Sequence, residues 1–156
     1  MDAFQAVRTG TQQILREQKA SMREIVSGLD ADALNWKPGT EAGAETNSIA
    51  QMLSHALDAE RFLIAAAVDD AIDRDREAHF RVTVDGASDM LALIDSVETE
   101  VEAWLSRMTA GHLSQDIARP GRTHSGAWWL LHAVEHSREH VGQAFLTRQL
   151  YELRAS

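Results

Sequence analysis

Apolar residues recur at three- and four-residue steps along four stretches of the chain, divided by polar, turn-rich connections. The first stretch carries Phe4, Val7, Ile14, Leu15, Met22, Ile25, Val26 and Leu29, interrupted by Thr11 and Gln18. An α-helix turns every ~3.6 residues, so this spacing gathers the apolar side chains on one face. Asp2 is placed to cap the start of this helix, and Gly28 lies near its end. A connection reading ALNWKPGTEAGAETNS follows, rich in turn residues and carrying Trp36 and Pro38. Thr46, Asn47 or Ser48 then caps a second helix, with Ile49, Met52, Leu53, Ala56, Leu63 and Ala67 on its inner face.

The run DDAIDRDRE, from Asp69 to Glu77, reads as a solvated helix end or linker. In FRVTVDG the alternation of Phe80, Val82 and Val84 with polar neighbours predicts extended chain. Ser88 or Asp89 caps a third helix that buries Leu91, Ile94, Val97, Val101, Trp104, Leu105 and Met108 and closes at Gly111. A polar link through Pro120 and Gly121 leads to a fourth helix spanning roughly 124–153. Four amphipathic helices without credible β segments predict an all-α four-helix bundle, a single domain over residues 1–156. The long connection between the second and third helices would cross one end of the bundle and leave those two helices parallel. Leucine alone could pack such seams, so the fold carries no function by itself.

Composition removes several classes of function. A formal charge of −9 argues against a nucleic-acid or anionic-membrane partner, which would need a basic face. There is no cysteine, hence no disulfide, no thiolate ligand and no cysteine nucleophile. The start, MDAFQAVRTG, has no basic segment followed by an apolar one, and the longest apolar run, AWWLL, is far short of the ~20 residues of a membrane span. The expected location is the cytoplasm.

Chemistry enters with histidine. Of seven, His79, His112 and His124 fall in predicted loops or helix ends, where they are expected to be structural. His55 lies among the apolar positions of the second helix and should point inward. The fourth helix reads HAVEHSREH from His132 to His140, a column of imidazoles at i, i+4 spacing on its flank. Three neutral imidazoles can hold one divalent metal and leave a position open for chemistry. His132 and His140 are separated by roughly 12 Å of helical rise, so a single ion must choose between 132/136 and 136/140. HAVEH also matches the inverted zinc-protease motif, with Glu135 as base, but that motif belongs to much larger α/β domains. Di-iron chemistry needs Glu-x-x-His pairs, and no histidine here has glutamate three residues before it.

NSIAQMLSHALDAERFL, followed later by WWLLHAVEHSREHVGQ, resembles the DinB-like (YfiT-like) superfamily, as does LNWKPG between the first two helices. The resemblance spans nearly the whole chain. It implies a four-helix bundle with a long crossover, usually a homodimer, holding one divalent metal (zinc or nickel) on three histidines. Carried over by position, these are His55, His136 and His140. Glu60 matches the family's helix-two glutamate and Gly142-Gln143 its Gly-Gln, whereas Val141 replaces the arginine that commonly precedes the latter. Glu60 and His132 are then expected to orient ligands or shuttle protons. Some relatives are S-transferases or isomerases that use a low-molecular-weight thiol. The resemblance therefore implies a metal-dependent enzyme acting on a small molecule through such a thiol. A metal-hydroxide hydrolase is the chemical rival, and a non-catalytic homodimeric bundle, with Trp128, Trp129 and Leu130 in its interface, is the rival of another class.

Overall fold

The computed structural model describes residues 2–39, 46–75 and 77–154. Four long helices form the bundle: α1 (Ala3–Val26), α3 (Ile49–Ala67), α4 (Ala87–Arg107) and α6 (Gly126–Arg154). Two five-residue helices, α2 (Ala31–Asn35) and α5 (Ala110–Ser114), sit in the connections. The expected caps form where the sequence places them. Asp2 accepts from the Gln5 amide at 2.8 Å, and Ser48 and Gln51 make a reciprocal capping box at the start of α3. Gly28, at φ 74°, follows the end of α1 in the left-handed conformation that glycine adopts without cost.

Cross-helix pairs fix the directions. Gln12 and Arg16 reach Glu102 while Arg23 reaches Asp95 and Glu98, so α1 and α4 are antiparallel. Arg61 pairs with Glu100, and Trp104 with Asp70 just beyond α3, so α3 and α4 run parallel. Gln18 bonds the Val134 carbonyl, and Arg148 caps the carbonyls of Glu24, Ile25 and Ser27, so α1 and α6 are parallel too. The long crossover between the second and third main helices is therefore present.

The central helix is α3, with 17 of its 19 residues buried. A helix buried nearly all round cannot leave polar groups unpartnered without a cost of about 1–3 kcal/mol each. His55, Asp58 and Glu60 all lie on it, and the fold must account for each.

Several expectations need correction. Of FRVTVDG, expected to be extended throughout, Phe80 and Arg81 instead close a 3-10 helix (Ala78–Arg81); the extended backbone begins at Val82, and the Val84 backbone pairs with the Asn35 side chain. Neither Ser88 nor Asp89 caps the third helix, whose N-cap is Gly86; the Asp89 carboxylate accepts from the Asp85 amide instead. That helix stops at Arg107, and Gly111 lies inside the separate helix α5. The polar link is a β-hairpin, β1 (Asp116–Arg119) and β2 (Arg122–Ser125), turning at Pro120-Gly121 with Gly121 at φ 80°. It takes His124 and Ser125 into β2, which delays α6 to Gly126. Trp129 and Leu130 are 0 % and 1 % exposed, so they pack the core and form no interface. Trp129 Nε1 donates to the Ile117 carbonyl at 3.2 Å, tying the hairpin to α6.

Gly126 marks the tightest junction. A Cβ there would lie 2.0 Å from the His112 carbonyl oxygen and 3.0 Å from that of Ala67. Both obstacles are backbone, so Gly126→Ala should destabilise by about 1–3 kcal/mol or more. Gly10, inside α1, has nothing within 4 Å of its would-be Cβ. Gly10→Ala should gain about 0.5–1 kcal/mol from helix propensity. Denaturant midpoints of the two variants should move in opposite directions; parallel shifts would contradict the packing at Gly126.

Candidate metal centre

Antiparallel α3 and α6 bring their histidines to one point. The His55 ring lies 5.2 Å from that of His136 and 5.0 Å from that of His140, centroid to centroid, and the last two are 4.6 Å apart. One ring nitrogen from each can be chosen so that all three lie within 4.8 Å of one another. A tetrahedral zinc with bonds of ~2.0–2.1 Å needs ligand nitrogens roughly 3.4 Å apart, which small ring rotations supply. The donor set is all imidazole, which suits zinc, copper, iron and nickel alike. His136 Nδ1 is buried and has no hydrogen-bond partner among the described residues, an orphaned donor-acceptor that a metal would satisfy. The three residues fit a single divalent ion.

Neighbours fix two of the rings. Phe80 stacks on His55 at 5.0 Å with an interplanar angle of 30°, and its carbonyl accepts from Gln51 Nε2 at 2.5 Å. The crossover thus folds back over α3 and clamps the histidine. His140 Nδ1 lies 2.8 Å from Gln143 Oε1, while Gln143 Nε2 donates to Glu139 at 3.1 Å. With the amide oriented by Glu139, its oxygen faces the imidazole, so Nδ1 carries the proton and Nε2 is left as the ligating atom.

Burial, and after it the neighbouring His140, His55 and His132 with Arg74, push His136 down to about 3. It is therefore neutral at physiological pH, the state in which an imidazole ligates. In the unfolded chain the same group titrates near 6.5. Between those values the unfolded chain binds a proton that the folded chain refuses. The stability this group contributes is full above pH 6.5 and is lost as pH falls towards 3. The metal-free protein should therefore have a lower denaturant midpoint at pH 5 than at pH 7, and His136→Gln should flatten that slope. Equal slopes in the two proteins would refute the assignment.

The two expected catalytic residues take different places. Glu60 does not reach the histidines. Its carboxylate is fully buried, paired with Lys19 Nζ and accepting from Ser137 Oγ at 3.2 Å. Burial raises its pKa against the opposing pull of Lys19. His132 stands one turn from the cluster, its ring 5.9 Å from that of His136, with Nδ1 3.0 Å from Glu135. Together with His55 and His136 it lines a cavity of about 140 Å³.

Three neighbours escaped the sequence reading. Asp58, three residues after His55, pairs with Arg74 and lies 3.1 Å from His79 Nε2. His79 is thus drawn beside the centre, its ring 6.5 Å from that of His55. Arg74 comes from the segment read as solvated linker, yet its side chain is only 18 % exposed. The His55-x-x-Asp58 spacing was the available signal for the acid; the partners from the crossover left none.

The model of the DinB superfamily matches residues 14–144. The chain belongs to that superfamily. Among solved structures, a DinB-like protein from Bacillus cereus superposes with a TM-score of 0.72 at 17 % identity, covering 91 % of each chain. YjoA, a DinB-like protein of Bacillus subtilis, gives 0.68 at 16 % identity over 90 % of each chain. YfiT of Bacillus subtilis, a probable metal-dependent hydrolase with an unusual four-helix bundle topology, gives 0.67 at 16 % identity over 99 % of this chain and 90 % of its own. No curated protein matches. At these identities the likeness establishes the fold. Among the described residues, no helix is long and apolar enough to cross a membrane.

Proposed function

We propose that this protein is a metal-dependent hydrolase of small molecules, with His55, His136 and His140 holding one zinc or nickel ion. The observation that carries the reading is the meeting of three imidazoles from two helices at the wall of a cavity. Such an ion supplies a nucleophile at neutral pH by lowering the pKa of bound water. The chain's own groups do the rest. Gln143 keeps His140 in the ligating tautomer, and Phe80 holds His55 in place. His132 is the proton acceptor: Glu135 takes its Nδ1–H, which leaves Nε2 to receive a proton from the nucleophile. Ala59, Phe62 and Leu63 offer the substrate's carbon body an apolar side of the cavity. YfiT, whose fold this chain shares, supports the hydrolytic reading.

A thiol transferase would use the same centre with a low-molecular-weight thiol in place of water, and one assay separates the two. Chelator-stripped protein, reloaded with one zinc or nickel per chain, should hydrolyse activated carboxylic and phosphoric esters without added thiol. His132→Gln should keep its metal and lose about 10²–10⁴-fold in kcat. Turnover that appears only with thiol and an electrophile would make the protein a transferase. Full metal occupancy with neither activity would make it a binding module.

A further inference from the structure

We propose that the cavity beside the three histidines is built for a substrate bearing an oxyanion, a carboxylate or phosphate, gripped by Arg74 and Arg122. This rests on the reading of the cavity as the reaction site. It adds the substrate's class.

The two arginines reach the cavity from parts of the chain that the histidines do not occupy: Arg74 from the crossover after α3, and Arg122 from the first position of β2. Arg74 spends its Nε on Asp58, while its Nη2 is buried without a hydrogen-bond partner among the described residues. A buried donor on a charged group is costly to leave unmet, and an acceptor arriving in the cavity would meet it. The Arg74 guanidinium also lies 5.5 Å from the centre of the Phe62 ring, a cation–π contact with another residue of the cavity wall. Arg122 is exposed and braced over Trp129 at 5.6 Å. Among the described residues no carboxylate pairs with it.

Asp58 offsets one of these two charges, so the pair leaves a net positive wall on a chain whose formal charge is −9. A basic spot on an acidic protein selects anions by local field, because the rest of the surface repels them. Guanidinium groups match the planar, multi-oxygen geometry of carboxylate and phosphate better than a point charge would. The volume, about 140 Å³, is that of a few water molecules at ~30 Å³ each, which limits the bound part to a small fragment. Ala59, Phe62 and Leu63 give this fragment an apolar face, and His55 and His136 line the same cavity. The substrate would place its oxyanion on the arginines, its carbon body on the apolar strip and its reacting bond at the histidines.

Calorimetric titration of the zinc-loaded and the zinc-free protein with succinate, inorganic phosphate and neutral succinamide tests this. Succinate or phosphate should bind both forms, and succinamide neither; whichever anion binds more tightly identifies the oxyanion. Arg122→Gln, at an exposed position whose one core contact is with the Trp129 ring, should weaken anion binding at least tenfold. Arg74→Lys, which keeps a cation for Asp58 but removes the fork, should do the same. Both variants should retain one zinc per chain. Anion affinity unchanged in both variants, or equal binding of succinamide, would overturn the proposal. Anion binding that persists in a wild-type protein unable to hold zinc would sink the metal reading and leave the oxyanion site standing.

Discussion

Lys19→Met should cost the protein about 3–5 kcal/mol of unfolding free energy, the range found when one partner of a buried ion pair is removed. The Lys19 and Glu60 side chains are 2 % and 0 % exposed, so neither has water to fall back on. Without the ammonium, Glu60 keeps only the hydrogen bond from Ser137. Burial already raises its pKa, and loss of Lys19 removes the strongest opposing influence. The variant should therefore hold Glu60 protonated. A group whose folded pKa is raised contributes its stability below the unfolded value and loses it as pH rises through the folded one. The deficit should thus be larger at pH 8 than at pH 5. Adding Glu60→Gln to Lys19→Met should recover much of the loss, because the buried charge is then gone. Chemical denaturation of the four proteins of this cycle at both pH values reads the effect. A loss below ~1 kcal/mol, the scale of surface pairs, would mean that the site is wet.

This pair also explains what Glu60 does at a distance from the histidines. It joins α1, through Lys19, to α3 and, through Ser137, to α6. Ser137 follows His136 directly, so the same contact sets the rotation of α6 that turns His136 and His140 towards His55.

The long helices, the inward His55 and the column of imidazoles on α6 could be read from the chain because they follow from helical periodicity. The choice of His136 and His140 over His132 and His136 was only what the resemblance implied. Inward residues on α3 and an i, i+4 pair on α6 needed only antiparallel packing to meet. Glu60 was open to the same test. Five residues from His55 is roughly 140° around a helix, so the Glu60 carboxylate lies on another side of α3, against Lys19 and Ser137. The hairpin was hidden for a different reason. Its strands, DIAR and RTHS, are four residues each with little β-branched or aromatic content. They are held by the Pro120-Gly121 turn and by the Trp129–Ile117 bond, a contact between residues twelve apart. His79, Phe80 and Arg74 reach the centre only because the crossover doubles back over α3, and no periodic pattern encodes that path. Trp129 was misplaced because it looks like an interface residue until the hairpin that covers it is known.

Removing a ligating histidine should abolish stoichiometric metal binding, and the order of effects around the centre is the sharper test. His55→Ala, His136→Ala and His140→Ala should each weaken zinc by more than the ~10–100-fold that losing an outer hydrogen-bond partner costs. Gln143→Ala should fall within that 10–100-fold range, since it frees the His140 ring without removing a donor. His132→Gln should leave affinity unchanged, because its ring stands outside the set of nitrogens lying within 4.8 Å of one another. Competition against a chromophoric chelator at pH 7.5 ranks all five. The loss should also appear as stability. A ligand at 100 times its Kd adds about 2.7 kcal/mol to the folded state, so wild-type protein gains a higher Tm with zinc and the three alanine variants do not. The series decides which of the two adjacent imidazole pairs on α6 holds the ion. If His132→Gln cost as much as His136→Ala while His140→Ala were silent, the centre would sit one turn nearer the start of α6. The bond from His140 to Gln143 would then have no metal to serve, and Glu135 would become the residue that orients a ligand.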